Sequence, residues 1–331
     1  MGLGVAMAGA MTLASAETLT LSGFPGTIGA NIHKAFLDTY KGDEIKYIES
    51  WDSARFTTMQ AHRNRPKLDV VTFTDLTLPL AAKAGLLEPL DPKVVTELAD
   101  VDPAVKAEQD MGVTFGYGCQ GILYNSKYVK EPITSWGDLL RDDLKGHVSA
   151  PSINYSMVFN AIAALAELKG GSLKDPKEGL DLYRQIRLSG PGLWDTENQA
   201  IGWLKTGEVW VTPYHSGNAL TLIASDPDLK DLRFVPTKEG AFFAPLMIAA
   251  VKNGPAGGDA AGKFINHTLS VASQEAFAQL NKVRPANNKA HVPEDAAKAC
   301  PTASELRQVD VDYLNQNRSK IVDEFNLKVN G

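Results

Sequence analysis

The sequence is poor in cysteine and has no long apolar run, and each absence excludes a class of protein. Only two of its 331 residues are cysteine, so neither a disulfide-rich scaffold nor an all-cysteine zinc site can be built. No apolar run reaches the roughly 20 residues that a membrane helix needs. Basic residues are scattered and the net charge is -6, which argues against a nucleic-acid partner. The balance is that of a soluble, mildly acidic protein.

The usual catalytic motifs are also missing. Gly116–Gly121 fits G-x-G-x-x-G, but the strand-like residues Ile122–Tyr124 follow where a dinucleotide site needs a helix. There is no phosphate-binding P-loop, no nucleophile elbow around Ser216, and no pair of histidines at i, i+4. We therefore expect no enzymatic activity, no cofactor and no metal.

The first sixteen residues, MGLGVAMAGAMTLASA, are typical of an export signal. They are small and apolar, and they end in Ala14-Ser15-Ala16, the small-x-small pattern of a cleavage site. No lysine or arginine precedes the apolar stretch, although a signal peptide usually has one there. A start codon assigned too far downstream would explain this loss. We predict that residues 1–16 are a signal peptide, truncated if the start codon has been assigned too far downstream, and that the mature protein is periplasmic.

In an oxidising compartment Cys119 and Cys300 could pair in a disulfide. They lie far apart in the sequence, so the bond would close a long loop. Two buried free thiols are the alternative.

Strands and helices alternate along the chain, which predicts an α/β fold with parallel strands and crossover helices. In the first part, strands end at 22–27, 49–52 and 73–75, and ligands of such sheets bind at the carboxyl ends of strands. Further on, we predict a strand at Phe242–Val251, a helix at Glu197–Thr206, and two last helices at 304–317 and 319–325. A chain of this length exceeds what one core usually supports, so two lobes are expected.

Aromatic and polar residues stand side by side where predicted strands end. The pairs are Trp51-Asp52, Trp194-Asp195 and Tyr214-His215, and Asp75 follows the third strand. Aromatic walls with a few placed polar groups are typical of a small-molecule pocket, and a carboxylate beside a tryptophan suits an ammonium group. Each aspartate could instead cap the helix that follows it.

Backbone donors offer a second kind of seat. Pro151–Ser156, which includes Asn154 and Tyr155, leads into a long helix whose free N–H groups attract a carboxylate. The turn at Gly23–Gly29 offers another such end. The alternative for both is a simple turn.

The ordered set of segments resembles the solute-binding proteins of bacterial ABC importers, in the branch of spermidine/putrescine-binding and ferric-binding proteins. The matching stretches are Asp69–Asp75, Lys83–Asp91, Gly121–Asn125, Thr134–Leu139 with Leu144–Val148, Lys205–Val209 and Val283–Asn287. The resemblance implies a two-lobed α/β fold like that of the periplasmic binding proteins. Each lobe would be a mixed, mainly parallel sheet flanked by helices, with the ligand cleft between the lobes.

The resemblance also implies lobe boundaries and partners. Lobe 1 would hold residues 17–118 and 242–285, lobe 2 residues 119–241, and residues 286–331 would form a C-terminal helical segment. The protein would close on its ligand and deliver it to a membrane permease of an ABC transporter. We expect a monomer that binds no nucleic acid.

Cleft positions carried over by the resemblance belong to both lobes. They are Phe24, Thr27, Trp51, Thr74, Asn154, Trp194, Tyr214, Phe243 and Asn287. The acidic pair that polyamine binders carry at the start of the long helix is replaced by Asn154 and Met157. This argues against a diamine or triamine ligand, because two buried ammonium groups need anionic partners. The ferric branch has adjacent tyrosines near Tyr214, where this chain has His215. The sequence therefore favours a small amine-type ligand, polyamine or amino acid-like. The alternatives are a ferric-iron or other metal carrier of the same fold, and a secreted enzyme.

Overall fold

The computed structural model describes residues 18–107 and 110–331. The predicted signal peptide, residues 1–16, lies outside the described residues.

The described chain alternates strands and helices as the sequence predicts. The strands are β1 (Leu19–Gly23), β2 (Ile45–Glu49), β3 (Val70–Phe73), β4 (Leu87–Glu88), β5 (Val113–Asn125), β6 (Ser149–Pro151), β7 (Gly192–Trp194), β8 (Val211–His215), β9 (Leu232–Val235) and β10 (Phe242–Val251). The helices are α1 (Gly26–Ile32), α2 (Asp52–Ala61), α3 (Leu78–Lys83), α4 (Met157–Glu167), α5 (Lys177–Leu188), α6 (Glu197–Thr206), α7 (Ser216–Ser225), α8 (Gly257–Leu269), α9 (Val271–Asn281), α10 (Glu294–Ala299) and α11 (Val311–Phe325). Within residues 18–107 and 110–331, no helix is both long enough and apolar enough to cross a membrane.

Two long antiparallel strands, β5 and β10, run through both lobes. One sheet has the order β2-β1-β3-β10-β5-β8, with β4 added to β10 and β9 added to β5. Strand β1 is parallel to β2 and β3, and β6 is parallel to β7, whereas β5 and β10 pair antiparallel with their neighbours. The parallel strands thus belong to separate lobes, and the crossing pair joins them.

The glycines of β5 allow close packing. A Cβ atom on Gly118 would lie 2.8 Å from Ser216 Oγ, and one on Gly121 would collide with the carbonyl oxygen of Val235. These glycines are therefore explained by the close approach of α7 and β9 to the strand. This agrees with the sequence analysis, which rejected a nucleotide-binding motif at Gly116–Gly121.

Separate hydrophobic cores lie in the two lobes. One is built from β1, β3, the first half of β5, α8 and α9, and the other from α4, α5, β6 and α11. The C-terminal part of the chain is shared between them, because Cys300 and Leu306 join the first core whereas Leu314 and Phe325 join the second.

The end of the chain differs from the predicted pair of helices. A single helix, α11, covers Val311–Phe325, and its N-cap Asp310 accepts a hydrogen bond from the N–H of Tyr313. Before it, Arg307 is extended and exchanges backbone hydrogen bonds with Ala241 and Phe243 at 2.9 and 2.8 Å. Because of this pairing with β10, the helix begins at Val311 and not at residue 304 as predicted.

Candidate functional site

The carboxyl ends of the parallel strands in both lobes point toward one region of the crossing strands. Phe73, at the end of β3, pairs with Met247 of β10, whose other end, Phe242, pairs with Gln120 of β5. Gln120 in turn pairs with His215 at the end of β8. At about 3.4 Å per residue, Phe242 and Met247 are roughly 17 Å apart along β10. The two sets of strand ends, called here the lobe 1 edge and the lobe 2 edge, therefore approach the same region.

The lobe 1 edge is organised by Arg55, whose guanidinium is buried beneath the ends of β1 and β3. It donates to Ser22 Oγ (3.2 Å), to the carbonyl oxygen of Ser50 (2.5 Å) and to the carbonyl oxygen of Thr72. It also forms an ion pair with Asp52 at 3.2 Å. Burial lowers the pKa of Arg55, and the charge of Asp52 opposes that shift. Arg55 thereby ties three strand ends together.

Asp52 belongs to this structural network. Its Oδ2 accepts hydrogen bonds from the N–H and Oγ1 of Thr74 at 2.9 and 2.8 Å, while Oδ1 faces Arg55. The ring of Phe24 lies 5.4 Å from the Arg55 guanidinium carbon. Phe24, Asp52 and Thr74 are thus brought together, and they hold the edge in place.

Asp75 is the second carboxyl group of this edge, and unlike Asp52 it is not part of the Arg55 network. Burial raises its pKa to about 7, backbone hydrogen bonds from Asp75 and Leu76 oppose the shift, and the charge of Asp52 adds to it. Within the described part of the chain, no ion pair involves Asp75. A cation placed beside it would relieve the desolvation of its charged form.

Trp51 and Thr27 lie on the exposed part of lobe 1. The Trp51 side chain is 66% exposed, directly before α2, and Thr27 is exposed on α1. An exposed tryptophan next to a strand end is free to contact a ligand or the opposite lobe.

Aromatic side chains form the inner part of the lobe 2 edge. Tyr155 meets Trp194 edge-on at 4.6 Å between ring centroids, and Trp194 lies 6.2 Å from Tyr214. Trp194 is only 1% exposed, and its Nε1 donates to Thr212 Oγ1 at 2.9 Å. Trp194 and Tyr214 are therefore buried behind Tyr155, which is the half-buried member of the group.

Glu197 is a functional candidate that the sequence reasoning missed. Its half-buried carboxylate accepts a hydrogen bond from Asn218 Nδ2 at 2.7 Å, and among the described residues it has no ion pair. Burial raises the pKa of Glu197, and the Asn218 hydrogen bond opposes the shift. Burial and then the Glu197 charge raise the pKa of both Tyr155 and Tyr214, so the three groups are neighbours.

The position of Glu197 explains why the sequence conceals it. It lies in the first turn of α6, where an acidic residue is common because it complements the helix dipole. The signal that could have found Glu197 is its position three residues after Trp194, the buried last residue of the short strand β7.

Asp195 and Asn154 lie at the outer part of the same edge. Asn154 Nδ2 donates to Asp195 Oδ1 at 3.4 Å, and both residues are exposed. The N-cap of α6 is Thr196, whose side chain accepts from the N–H of Gln199. The Asp195 carboxylate is therefore not used as the helix cap.

His215 ends β8 and precedes α7 as its N-cap residue. Burial lowers its pKa to about 4, so the imidazole is neutral at neutral pH. It stands beside Gln120, which accepts a hydrogen bond from Asn160 Nδ2 at 2.8 Å. His215 and Gln120 are thus neutral polar groups on neighbouring strands close to the lobe 2 edge.

The last two predicted residues make their contacts inside lobe 1. Phe243 is on β10, 6% exposed, with its ring 5.5 Å from that of Tyr117. Asn287 is buried inside lobe 1, where its Nδ2 donates to the carbonyl oxygen of Leu269 (2.9 Å) and to Glu97 Oε2 (3.2 Å). Its contacts are those of a residue that fixes a loop.

A cavity of about 210 Å³ lies elsewhere on lobe 1. It is lined by Met59, Leu68 and Val251 together with His62 and Lys67. Leu68 precedes β3 and Val251 ends β10, so this cavity is at the opposite end of the strands from Asp75. Asp75 lies at the lobe 1 edge, and Tyr155, Trp194 and Glu197 lie at the lobe 2 edge, so the candidate site is placed at the strand ends.

This architecture, two α/β lobes joined by crossing strands with their strand ends turned toward one another, is that of the periplasmic solute-binding proteins. The chain belongs to the family of bacterial extracellular solute-binding proteins, which matches residues 31–302. The predicted fold class and family resemblance are thereby confirmed. No curated protein sequence matches the chain.

Solved structures share the fold at low sequence identity. An extracellular solute-binding protein from Bordetella parapertussis has a TM-score of 0.81 at 20% identity, covering 94% of this chain and 98% of that one. The spermidine/putrescine transporter substrate-binding protein PotD from Streptococcus pneumoniae has a TM-score of 0.75 at 18% identity, covering 94% and 99%. Iron-bound HitA from Pseudomonas aeruginosa has a TM-score of 0.75 at 21% identity, covering 93% and 99%.

Proposed function

We propose that this protein is the periplasmic solute-binding component of an ABC importer, and that it captures a small amine-bearing ligand, a polyamine or an amino acid-like compound. The ligand is held between the lobe 1 edge and the lobe 2 edge and is passed to a membrane permease. The family supports the transport role. The ligand class rests on the site.

The observation that carries the amine assignment is the carboxylate of Glu197. A half-buried carboxylate with one amide as its hydrogen-bond partner is poorly compensated for lost hydration. An ammonium group placed beside it supplies the missing charge and further hydrogen bonds. The tyrosine rings beside it add contact area and cation–π attraction for the same group.

Asp75 gives the opposite lobe a similar seat. Its carboxyl group stands at the lobe 1 edge with a raised pKa and, within the described residues, no ion pair. A ligand with two amines would reach both carboxylates, and a ligand with one amine would choose between them. Ligands that contact both lobes favour the closed state, since only contacts specific to that state shift the equilibrium.

The ferric alternative is less well supported by the same residues. A phenolate ligand for iron must lose its proton, whereas burial and then the charge of Glu197 raise the pKa of Tyr214. In residues 18–107 and 110–331, no group of three or more His, Cys, Asp or Glu side chains is placed to hold a metal ion.

The test is ligand binding by wild-type protein and two matched variants. The ligand-free chain is screened by thermal shift against putrescine, spermidine, single amino acids and ferric citrate, and hits are measured by calorimetry. Glu197→Gln should weaken binding of the amine about 30- to 1000-fold, which corresponds to about 2–4 kcal/mol for a truncated charge pair.

Glu178→Gln is the control, because Glu178 is also in the first turn of a helix but is exposed at the surface of α5. Its affinity should match the wild type. Stabilisation by iron alone, or unchanged amine affinity in Glu197→Gln, would contradict the assignment.

A further inference from the structure

Both cysteines lie where the crossing strands meet the C-terminal part of the chain. Cys119 is in the middle of β5, pairs with Phe243 of β10 and has no exposed surface. Cys300 directly follows α10 and is 2% exposed. Both are buried free thiols in this structure, and both belong to the lobe 1 core.

The two thiols are neighbours although they are 181 positions apart in the sequence (300 − 119). Cys119 Sγ lies 3.6 Å from the carbonyl oxygen of Ala299, the residue before Cys300. Burial and then interaction with the Cys119 thiol raise the pKa of the Cys300 thiol, as expected if the two side chains lie near each other. The backbone on both sides is fixed, because Arg284 Nε donates to the carbonyl oxygen of Cys300 at 2.7 Å and Ser216 Oγ accepts from the N–H of Cys119 at 3.0 Å.

We propose that Cys119 and Cys300 form a structural disulfide when the chain folds in an oxidising compartment, fastening the C-terminal segment to the strand that joins the lobes. The family is extracellular, and disulfides persist in such compartments. The oxidant is a disulfide such as oxidised glutathione.

The exchange proceeds through a mixed disulfide. One cysteine thiolate attacks the oxidant and releases a first thiol. The second cysteine thiolate then attacks the mixed disulfide and releases another. The two protein thiols lose two protons and two electrons in total, and the oxidant is reduced to two thiols.

The bond has to form before the core closes. Burial raises the pKa of Cys300, so the thiolate that must attack is disfavoured once the protein is folded. Neither thiol is accessible to an oxidant in the folded chain, because both are nearly fully buried. In the unfolded chain both thiols are accessible to the oxidant.

The expected consequence is stability rather than a change in ligand affinity. The bond closes a loop of about 180 residues, for which the chain-entropy relation and the usual unfolding entropy give a rise in Tm of about 5–10 °C. The thiols lie in the lobe 1 core and not at either edge, so binding of the amine probe should be unchanged.

The test refolds the full chain from the reduced, denatured state with and without oxidised glutathione. The oxidant should yield a monomer lighter by two hydrogen atoms, with no thiol alkylated in denaturant and with one cross-linked peptide joining Cys119 to Cys300. Its Tm should exceed that of wild-type protein refolded and kept in reductant, a reference that needs no mutation. Cys300→Ser refolded with the oxidant should show no Tm difference from the same variant kept in reductant.

Two results would overturn the proposal. One is a refolded, oxidant-exposed chain that keeps both thiols or pairs between molecules. The other is an intramolecular bond that leaves Tm unchanged or lowers it, since the tether would then be absent or strained. As a check on timing, oxidant added to the already folded, reduced protein should leave both thiols intact; ready oxidation there would refute formation before burial.

Discussion

Replacing Asp75 by asparagine should stabilise the ligand-free protein at alkaline pH and leave its stability nearly unchanged in acid. Burial holds the pKa of Asp75 at about 7 in the folded protein, against the ordinary value of 3.8. The folded state thus binds this proton more tightly than the unfolded state. Its contribution to the free energy of unfolding is fully present below about pH 3.8 and is lost as the pH rises through about 7.

The size of the effect follows from the two pKa values. One pH unit corresponds to about 1.4 kcal/mol, so the interval from 3.8 to about 7 sets an upper limit of about 4 kcal/mol. Asp75 keeps some solvent exposure, and a gain of about 2–4 kcal/mol is expected for Asp75→Asn at pH 8.

The measurement is urea unfolding of wild type and Asp75→Asn at several pH values between 4 and 9. The difference between the two proteins is the quantity to compare, because other groups titrate in both. His215 is one of them: its pKa is lowered to about 4, so its contribution is present above about pH 6.5 and is lost as the pH falls toward 4. Asp195→Asn, at an exposed aspartate of the other lobe, is the control and should show no pH-dependent gain.

A stability difference that does not vary with pH would refute the reasoning. Binding gives a second readout. If Asp75 seats an ammonium group, the wild type should bind the amine more tightly above pH 7, and Asp75→Asn should lose that gain. A variant that is stabilised but binds normally would remove Asp75 from the ligand site and leave its burial as the whole explanation.

Two tryptophan substitutions should behave in opposite ways. Trp51 is 66% exposed, so Trp51→Phe should change the free energy of unfolding by less than about 0.5 kcal/mol. The same variant should lose a ligand-induced blue shift of the tryptophan fluorescence. A persisting shift would mean that the ligand-bound protein does not cover Trp51. Trp194 is 1% exposed and hydrogen-bonded to Thr212, so Trp194→Ala should cost about 3–5 kcal/mol in urea unfolding, and a loss below 1 kcal/mol would contradict its place in the core.

Elements with their own end signals could be predicted from the sequence. Helix α6 begins after the capping Thr196 and ends at Thr206. The next residue is Gly207, whose φ of 75° suits a glycine after a helix, and the predicted bounds match. The buried run of β10 was also predicted at Phe242–Val251. The start of α11 could not be predicted, because it depends on the pairing of Arg307 with residues far away in the sequence.

The candidate site divides in the same way. Asp75 could be proposed because α/β sheets bind ligands at the carboxyl ends of their strands, and Tyr155 because its turn leads into a helix N-terminus; both stay predictions. The depth of each side chain could not. Trp194 and Tyr214 look like an exposed wall in the sequence, but the order of β6, β7 and β8 buries them behind Tyr155. The sequence around Asn287 also did not show how deeply its side chain is buried. Its side chain hydrogen-bonds Leu269 and Glu97, which are far away in the sequence and are brought near only by the fold.

If the lobes close on the ligand as proposed, the distribution of charge at the two edges affects that closure. Glu197 and Asp75 stand on different lobes, and in the described chain neither has a basic partner. Bringing two unpaired carboxylates toward one another without a cation is unfavourable, because repulsion and loss of water act together. A bound ammonium group would offset both the repulsion and the loss of water. The favourable free energy would be largest when the carboxylates of both edges contact it. Closure would then depend on the charge of the ligand as well as on its shape, and a neutral analogue of the same size would bind one edge without drawing the lobes together.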